Sequence, residues 1–142
     1  MASSGTLTGA VQSLGKGPFR PMTKITLAWI STAGGAVNQL AVDGNGNAIY
    51  VSGELLRVVF VPGTPTPTTG YGVQLTDQNG MDVLAGQGAS ISSGAPSHIC
   101  PGVKVYDGTT ASERPIAIDD QLTLVVSAAG ASNQGSVVLY LR

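Results

Sequence analysis

The 142-residue sequence holds one cysteine and one histidine, and that scarcity removes whole classes of chemistry. Cys100 has no partner for an internal disulfide, which points to a chain made in a reducing cytoplasm, where a lone thiol most often serves as a small apolar side chain. Cys100 and His98 together cannot supply the four ligands of a structural zinc site. His98 is the sole imidazole base available, and no Gly-x-Ser-x-Gly elbow accompanies it, so a hydrolytic triad has no frame. His98 and Cys100 stand two apart and would share a strand face, where packing side by side outweighs activation of the thiolate. Gly86-Gln87-Gly88 is followed by neither a third glycine nor a helix pattern, so no dinucleotide loop is read there. The sequence therefore predicts no enzyme and no cofactor.

Charge is equally sparse. Charged residues make up 11% of the chain, against roughly 25% in an ordinary soluble domain. The net charge is −1, and of the basic residues only Lys16, Arg20 and Lys24 fall near one another. A phosphate backbone needs a dense basic stripe, so direct nucleic-acid binding is not expected. No apolar run approaches the roughly 18–20 residues that span a bilayer. Met1-Ala2-Ser3-Ser4-Gly5-Thr6 has neither the basic nor the apolar region of a signal peptide. Neither membrane insertion nor signal-directed export is expected.

What the chain does have is glycine, with 20 copies, and alternation of apolar with polar residues. Gly15, Gly17, Pro18 and Pro21 break any regular element near the start. Residues 1–21 are therefore read as an extended N-terminal arm, and 22–142 as one domain. Ile25, Leu27 and Trp29 share one face of a period-2 stretch over Lys24–Ile30. Val37–Val42 and Ile49–Val51 flank Asp43-Gly44-Asn45-Gly46-Asn47, a strong turn cluster. Glu54–Val61 is the longest β-rich run, with Leu56, Val58 and Phe60 on one face. A stiff Pro-Thr loop over Pro62–Gly70 follows.

Tyr71–Thr76 and Met81–Leu84 read as a hairpin about Asp77-Gln78-Asn79-Gly80. His98–Cys100 and Val103–Tyr106 are short extended pieces. In the last two strands, Leu122, Leu124 and Val126 should face Val137, Leu139 and Leu141 across a core, with Ala128–Gly135 as a hairpin loop between them. No segment carries a 3.6-residue apolar period. The prediction is an all-β, antiparallel sandwich of about eight strands.

Few side chains remain for chemistry. Asp43, Asn45, Asn47 and Glu54 match positions 1, 3, 5 and 12 of a calcium loop. Ala48 stands where that loop needs glycine, and the flanks are strands, so a plain hairpin tip is preferred. Asp119-Asp120 would point to opposite faces of a strand. Asp77 and Asp82 flank a turn, where aspartates satisfy backbone N–H groups.

Ser52-Gly53-Glu54, Leu75-Thr76-Asp77, Asp82-Val83-Leu84-Ala85-Gly86 and the closing Gly135–Leu141 together resemble small proteins of tailed bacteriophages. From about Thr23 onward the chain is similar to the cement (decoration) proteins of podovirus-like heads. That resemblance implies a jelly-roll-like sandwich on the outer surface of the virion, bound to the major capsid protein and cross-linking neighbouring capsomers. It also implies a homo-oligomer, with a dimer favoured over a trimer. Within that frame the expected capsid contacts are Lys16, Phe19 and Arg20 on the arm and Thr64, Pro65, Thr66 and Pro67 on the loop. A head–tail connector or tail protein would rest on the same physics. A carbohydrate-binding sandwich would need Trp29 or Tyr71 as a stacking platform, although the alternation of Trp29 with Ile25 and Leu27 favours the core.

Overall fold

A computed structural model of the chain describes residues 5–14, 22–107 and 110–142. The described residues form strands and turns and no helix. Among the described residues there are ten strands: β1 (Thr6–Leu14), β2 (Met22–Ile30), β3 (Val37–Leu40), β4 (Tyr50–Pro62), β5 (Gly72–Thr76), β6 (Ser97–Ile99), β7 (Gly102–Asp107), β8 (Thr110–Gln121), β9 (Thr123–Ser127) and β10 (Gln134–Leu141). A seven-stranded sheet runs β1-β2-β10-β4-β8-β7, with β6 also paired to β4, and a three-stranded sheet runs β3-β9-β5. All the strand pairs are antiparallel.

The pairings nest. β2 pairs with β10, β3 with β9, and β4 with β8. β5 is bridged to the chain that follows it, at Thr76–Asp82 and Tyr71–Ile91. The chain is thus one long antiparallel hairpin, closed at the Asp77–Met81 turn and rolled so that successive rungs fall in alternate sheets. That is the jelly-roll plan, and it buries one face of each sheet against the other. Leu122 marks one of the corners, because β8 ends at Gln121 in the large sheet and β9 starts at Thr123 in the small one.

The core follows the period-2 pattern. Ile25, Leu27 and Trp29 from β2, Val58 and Phe60 from β4, and Val137, Leu139 and Leu141 from β10 line one wall. Val73, Leu75, Leu124 and Val126 line the other. Burying each such side chain is worth about 1.5–3 kcal/mol. The expected opposition of Leu124 and Val126 to Val137, Leu139 and Leu141 is realised from opposite sheets. The segment between β9 and β10 is therefore a crossing between sheets and not the expected hairpin loop.

Three other expectations change. The lead-in read as an arm contains β1, which pairs with β2 from Thr6 to Leu14. Its buried positions are Leu7 and Gly9, and a glycine in a strand interior erases the apolar alternation that would reveal it. The segments around Ile49–Val51 and Glu54–Val61 are one strand, β4, interrupted where the register with β10 shifts between Tyr140 and Leu141. Met81–Leu84 is no strand: beyond the single bridge of Asp82 to Thr76 the chain turns, with the Asp82 carboxylate accepting from the Leu84 and Gly86 N–H groups.

Candidate functional site

Few chemistry-bearing groups converge. No group of three or more His, Cys, Asp or Glu side chains that could hold a metal ion occurs among the described residues. Asp43 closes its turn by itself: Oδ1 accepts from the N–H groups of Asn45 (2.8 Å) and Asn47 (2.9 Å). The Asn47 N–H, followed by that of Asn45, holds the carboxyl below the ordinary aspartate value of 3.8. Glu54, the twelfth position of the calcium pattern, lies instead on β4 and forms an ion pair with Arg142 at 3.4 Å. The residues matched in sequence thus do not form a cage.

The second turn repeats the first. Asp77 Oδ1 accepts from Asn79 (2.9 Å) and Met81 (3.0 Å). The backbone pairs Asp43–Asn47 and Asp77–Met81 close at 2.9 and 3.0 Å. Gly46 and Gly80 both take positive φ, at 82° and 80°, which is why Asp-x-Asn-Gly recurs in both loops. Asp82 does related work, accepting from Leu75 and Leu84 on Oδ1 and from Gly86 on Oδ2. Asp120 Oδ2 accepts from the Gln78 N–H at 3.3 Å. These carboxylates are committed to backbone donors.

Of the expected contact residues, Lys16, Phe19 and Arg20 lie outside the described residues. Thr64, Pro65 and Thr66 are exposed, while Pro67 is buried and so offers no surface to a partner. The loop is pinned to the crossing between β9 and β10, with Gln134 N–H donating to the Pro65 carbonyl and Thr68 N–H to that of Ala129. Trp29 and Tyr71 are each 1% exposed, with ring centroids 5.8 Å apart. Neither can stack on a sugar at the surface. His98 and Cys100 are both exposed near the end of β6.

The most distinctive surface is the outer face of the large sheet. The cross-strand register lines up Ala10, Thr26, Val138, Val59 and His98 in one row. A second row holds Thr8, Ala28, Ser136 and Val61, and a third holds Gln12, Lys24, Tyr140 and Arg57. An antiparallel sheet with one solvated face normally turns polar residues outward. Here the outward positions are mainly Thr, Ala, Ser and Val, and Val138 is only 8% exposed. The charges in these rows, Lys24 and Arg57, lie together at one end, where the Arg57 guanidinium sits 5.6 Å from the Tyr140 ring centre. These rows make a weakly charged platform in which Thr, Val, Ala and Ser predominate.

No family model, curated protein or solved structure matches the chain. The platform is the feature that sequence reading missed. Its signal was present in the non-core positions of the strands, since Thr26, Ala28, Val59, Val61 and Val138 alternate with core residues and none is charged.

Proposed function

We propose that the chain is a structural virion protein that binds the outside of the major capsid shell as a homo-oligomer, a dimer in the favoured form, and cross-links neighbouring capsomers. The phage-head address comes from the sequence resemblance. The observation that carries the binding role is the outer face of the large sheet, where Val59, Val61, Val138, Thr26 and Ala28 can be desolvated at low cost because they carry no charge. Lys24 and Arg57 at one end of the face would select a neutral or acidic patch and fix its orientation. The pinned Thr64–Thr66 segment supplies a stiff corner at the end of the sandwich.

The test is reconstitution on heads of the cognate phage that lack this chain, with occupancy read by cryo-electron microscopy. Val59→Glu, at a half-buried position on the outer face, should abolish decoration while the purified variant stays folded, at a cost of about 1–2 kcal/mol in urea unfolding. Heads that stay bare with the parent chain, or that take up Val59→Glu as well as the parent, would overturn this reading.

A further inference from the structure

Edge strands carry backbone groups with no ladder partner, which makes them templates for another chain. In β1 the Gly9 N–H donates to the Val42 carbonyl at 2.6 Å, on the side away from β2. Backbone groups alternate from side to side along a strand. Leu7, Gly9, Val11 and Ser13 therefore turn their N–H and C=O outward, while Thr8, Ala10 and Gln12 bond to β2. The first half of this edge is closed, by Val42 at Gly9 and by Gln39 Nε2 on the Gly5 carbonyl at 3.0 Å. Beyond Gly9, no described strand pairs with it, and Ala10, Val11, Gln12 and Ser13 are all exposed.

Among the described residues none of the usual edge protections is present there. β1 contains no charged residue and no proline, and its register with β2 runs without a bulge. Val11 is 55% exposed, yet it lies on the core side of the sheet. It stands opposite Ile25, whose row continues through Leu139 to Val58, and these three are at most 2% exposed. A core row runs out into solvent at Val11.

We infer that this edge pairs with the same edge of a second copy about a two-fold axis, joining two large sheets into one. Antiparallel pairing of identical segments is isologous by construction. An uncharged segment does not repel its copy and offers no charge to select a different strand. The register follows from the closed half. Centring the axis on Val11 would set Ser13 of the second copy against Gly9, where Val42 already sits. Centring it on Gln12 sets Ala10–Leu14 of one copy against Leu14–Ala10 of the second, so within the described strand Gly9 stays outside the pairing. Val11 and Ser13 then exchange N–H···O=C bonds with Ser13 and Val11 of the second copy, and Gln12 faces its own equivalent as a non-hydrogen-bonded pair. The inference takes up the self-association proposed above and does not depend on the capsid partner.

The test uses the full chain in a Cys100→Ser background, free of phage heads, so its outcome is separate from that of decoration. Cα atoms in a non-hydrogen-bonded antiparallel pair lie about 4.5 Å apart, within the roughly 4.4–6.8 Å a disulfide spans. Gln12→Cys should give a covalent dimer on mild oxidation, and Thr8→Cys, on the closed half, should not. Val11→Lys, at an exposed position, should weaken the dimer at least about tenfold in sedimentation equilibrium with an unchanged circular dichroism spectrum. A parent chain that stays monomeric at its highest soluble concentration overturns the inference, and leaves the edge to a strand of another protein. Equal cross-linking at Thr8 and Gln12, or a dimer indifferent to Val11→Lys, overturns it as well.

Discussion

Gly135 is the position where a single added methyl should tell most about the packing of this sandwich. It lies in β10 between Trp29 of β2 and Pro62 of β4, and the indole of Trp29 lies across it. A Cβ at this position would meet Trp29 Cζ2 at 2.5 Å and Cε2 at 2.9 Å, closer than carbon atoms can pack. The ring has little room to retreat, since it is 1% exposed and Tyr71 stands against it. Overpacking of this kind costs about 1–3 kcal/mol. A 2.5 Å approach to a confined ring belongs at the upper end of that range, about 2–3 kcal/mol; replacing a strand glycine returns about 1 kcal/mol of backbone entropy, which leaves a net loss of about 1–2 kcal/mol for Gly135→Ala. At roughly 2.1 cal/mol/K of unfolding entropy per residue, that loss lowers Tm by roughly 3–7 °C.

The assay is urea unfolding followed by far-ultraviolet circular dichroism, which reads every variant, with the emission of the single tryptophan as a second probe where Trp29 is retained. The deciding measurement is a double-mutant cycle. Trp29→Phe removes the part of the ring that the added methyl would strike, so Gly135→Ala should cost close to nothing in that background, a coupling of about 1–2 kcal/mol. Gly135→Ala within about 0.5 kcal/mol of the parent, or the same cost in both backgrounds, would refute the reasoning.

Three further outcomes are expected. Removing residues 1–14 strips β1 from the sheet edge and exposes Leu27 and Ile49 beside Gly9; with the loss of Leu7 alone worth about 1.5–3 kcal/mol, the truncated chain should show a lower urea midpoint, whereas an arm would leave it unchanged. The Asp43 carboxyl titrates below 3.8 in the folded chain, so its stabilising effect is complete above that pH and is lost as the pH falls through the lower folded value. Asp43→Asn keeps an acceptor oxygen in the turn and should flatten the decline in urea midpoint as the pH falls below the ordinary aspartate value of 3.8; an unchanged slope would assign the decline to other groups. Calcium should leave Tm unshifted and give no heat on titration, because Glu54 is held on β4 by Arg142 and away from the Asp43 turn; a calcium-dependent rise in Tm would contradict that.

How far the fold was legible depended on how cleanly each strand alternates. β2 and β10 were readable because Ile25-x-Leu27-x-Trp29 and Val137-x-Leu139-x-Leu141 put three large apolar residues of each strand on the buried face. The two turns were readable because only Asn and Gly accept the left-handed backbone at low cost. β1 was hidden by Gly9, and β8 by Glu113, Arg114, Pro115 and the Asp119-Asp120 pair, which break the pattern of a core strand. Pro115 is tolerated there because the strand is leaving its pairing with β4 for that with β7. The hairpin return at Met81–Leu84 misled in a different way. Asp82 ties three backbone N–H groups locally and curls the chain, so its apolar residues reach the core from a turn. The candidate surface was harder still, since a sheet's outer face is assembled from strands far apart in sequence, and only the β2-β10-β4 register shows that Thr26, Val138 and Val59 adjoin.

The two proposed surfaces constrain each other. A two-fold axis that pairs antiparallel strand edges stands normal to the sheet, so both outer faces of a β1-joined dimer lie on the same side. The dimer would then present two copies of the Val59–Val138 platform on one side, which suits a bridge between neighbouring capsomers. Each platform can be individually weak and still hold, because the second contact forms at the effective concentration set by the first, and avidity gains of about 10²–10⁴ follow without new contacts. Val11→Lys leaves the outer face untouched, yet on this account it should lower head occupancy by a factor of that order at limiting concentration. A variant that is monomeric in solution but decorates heads at the parent's concentration would show that each face acts alone, and would separate the edge from the function of the face.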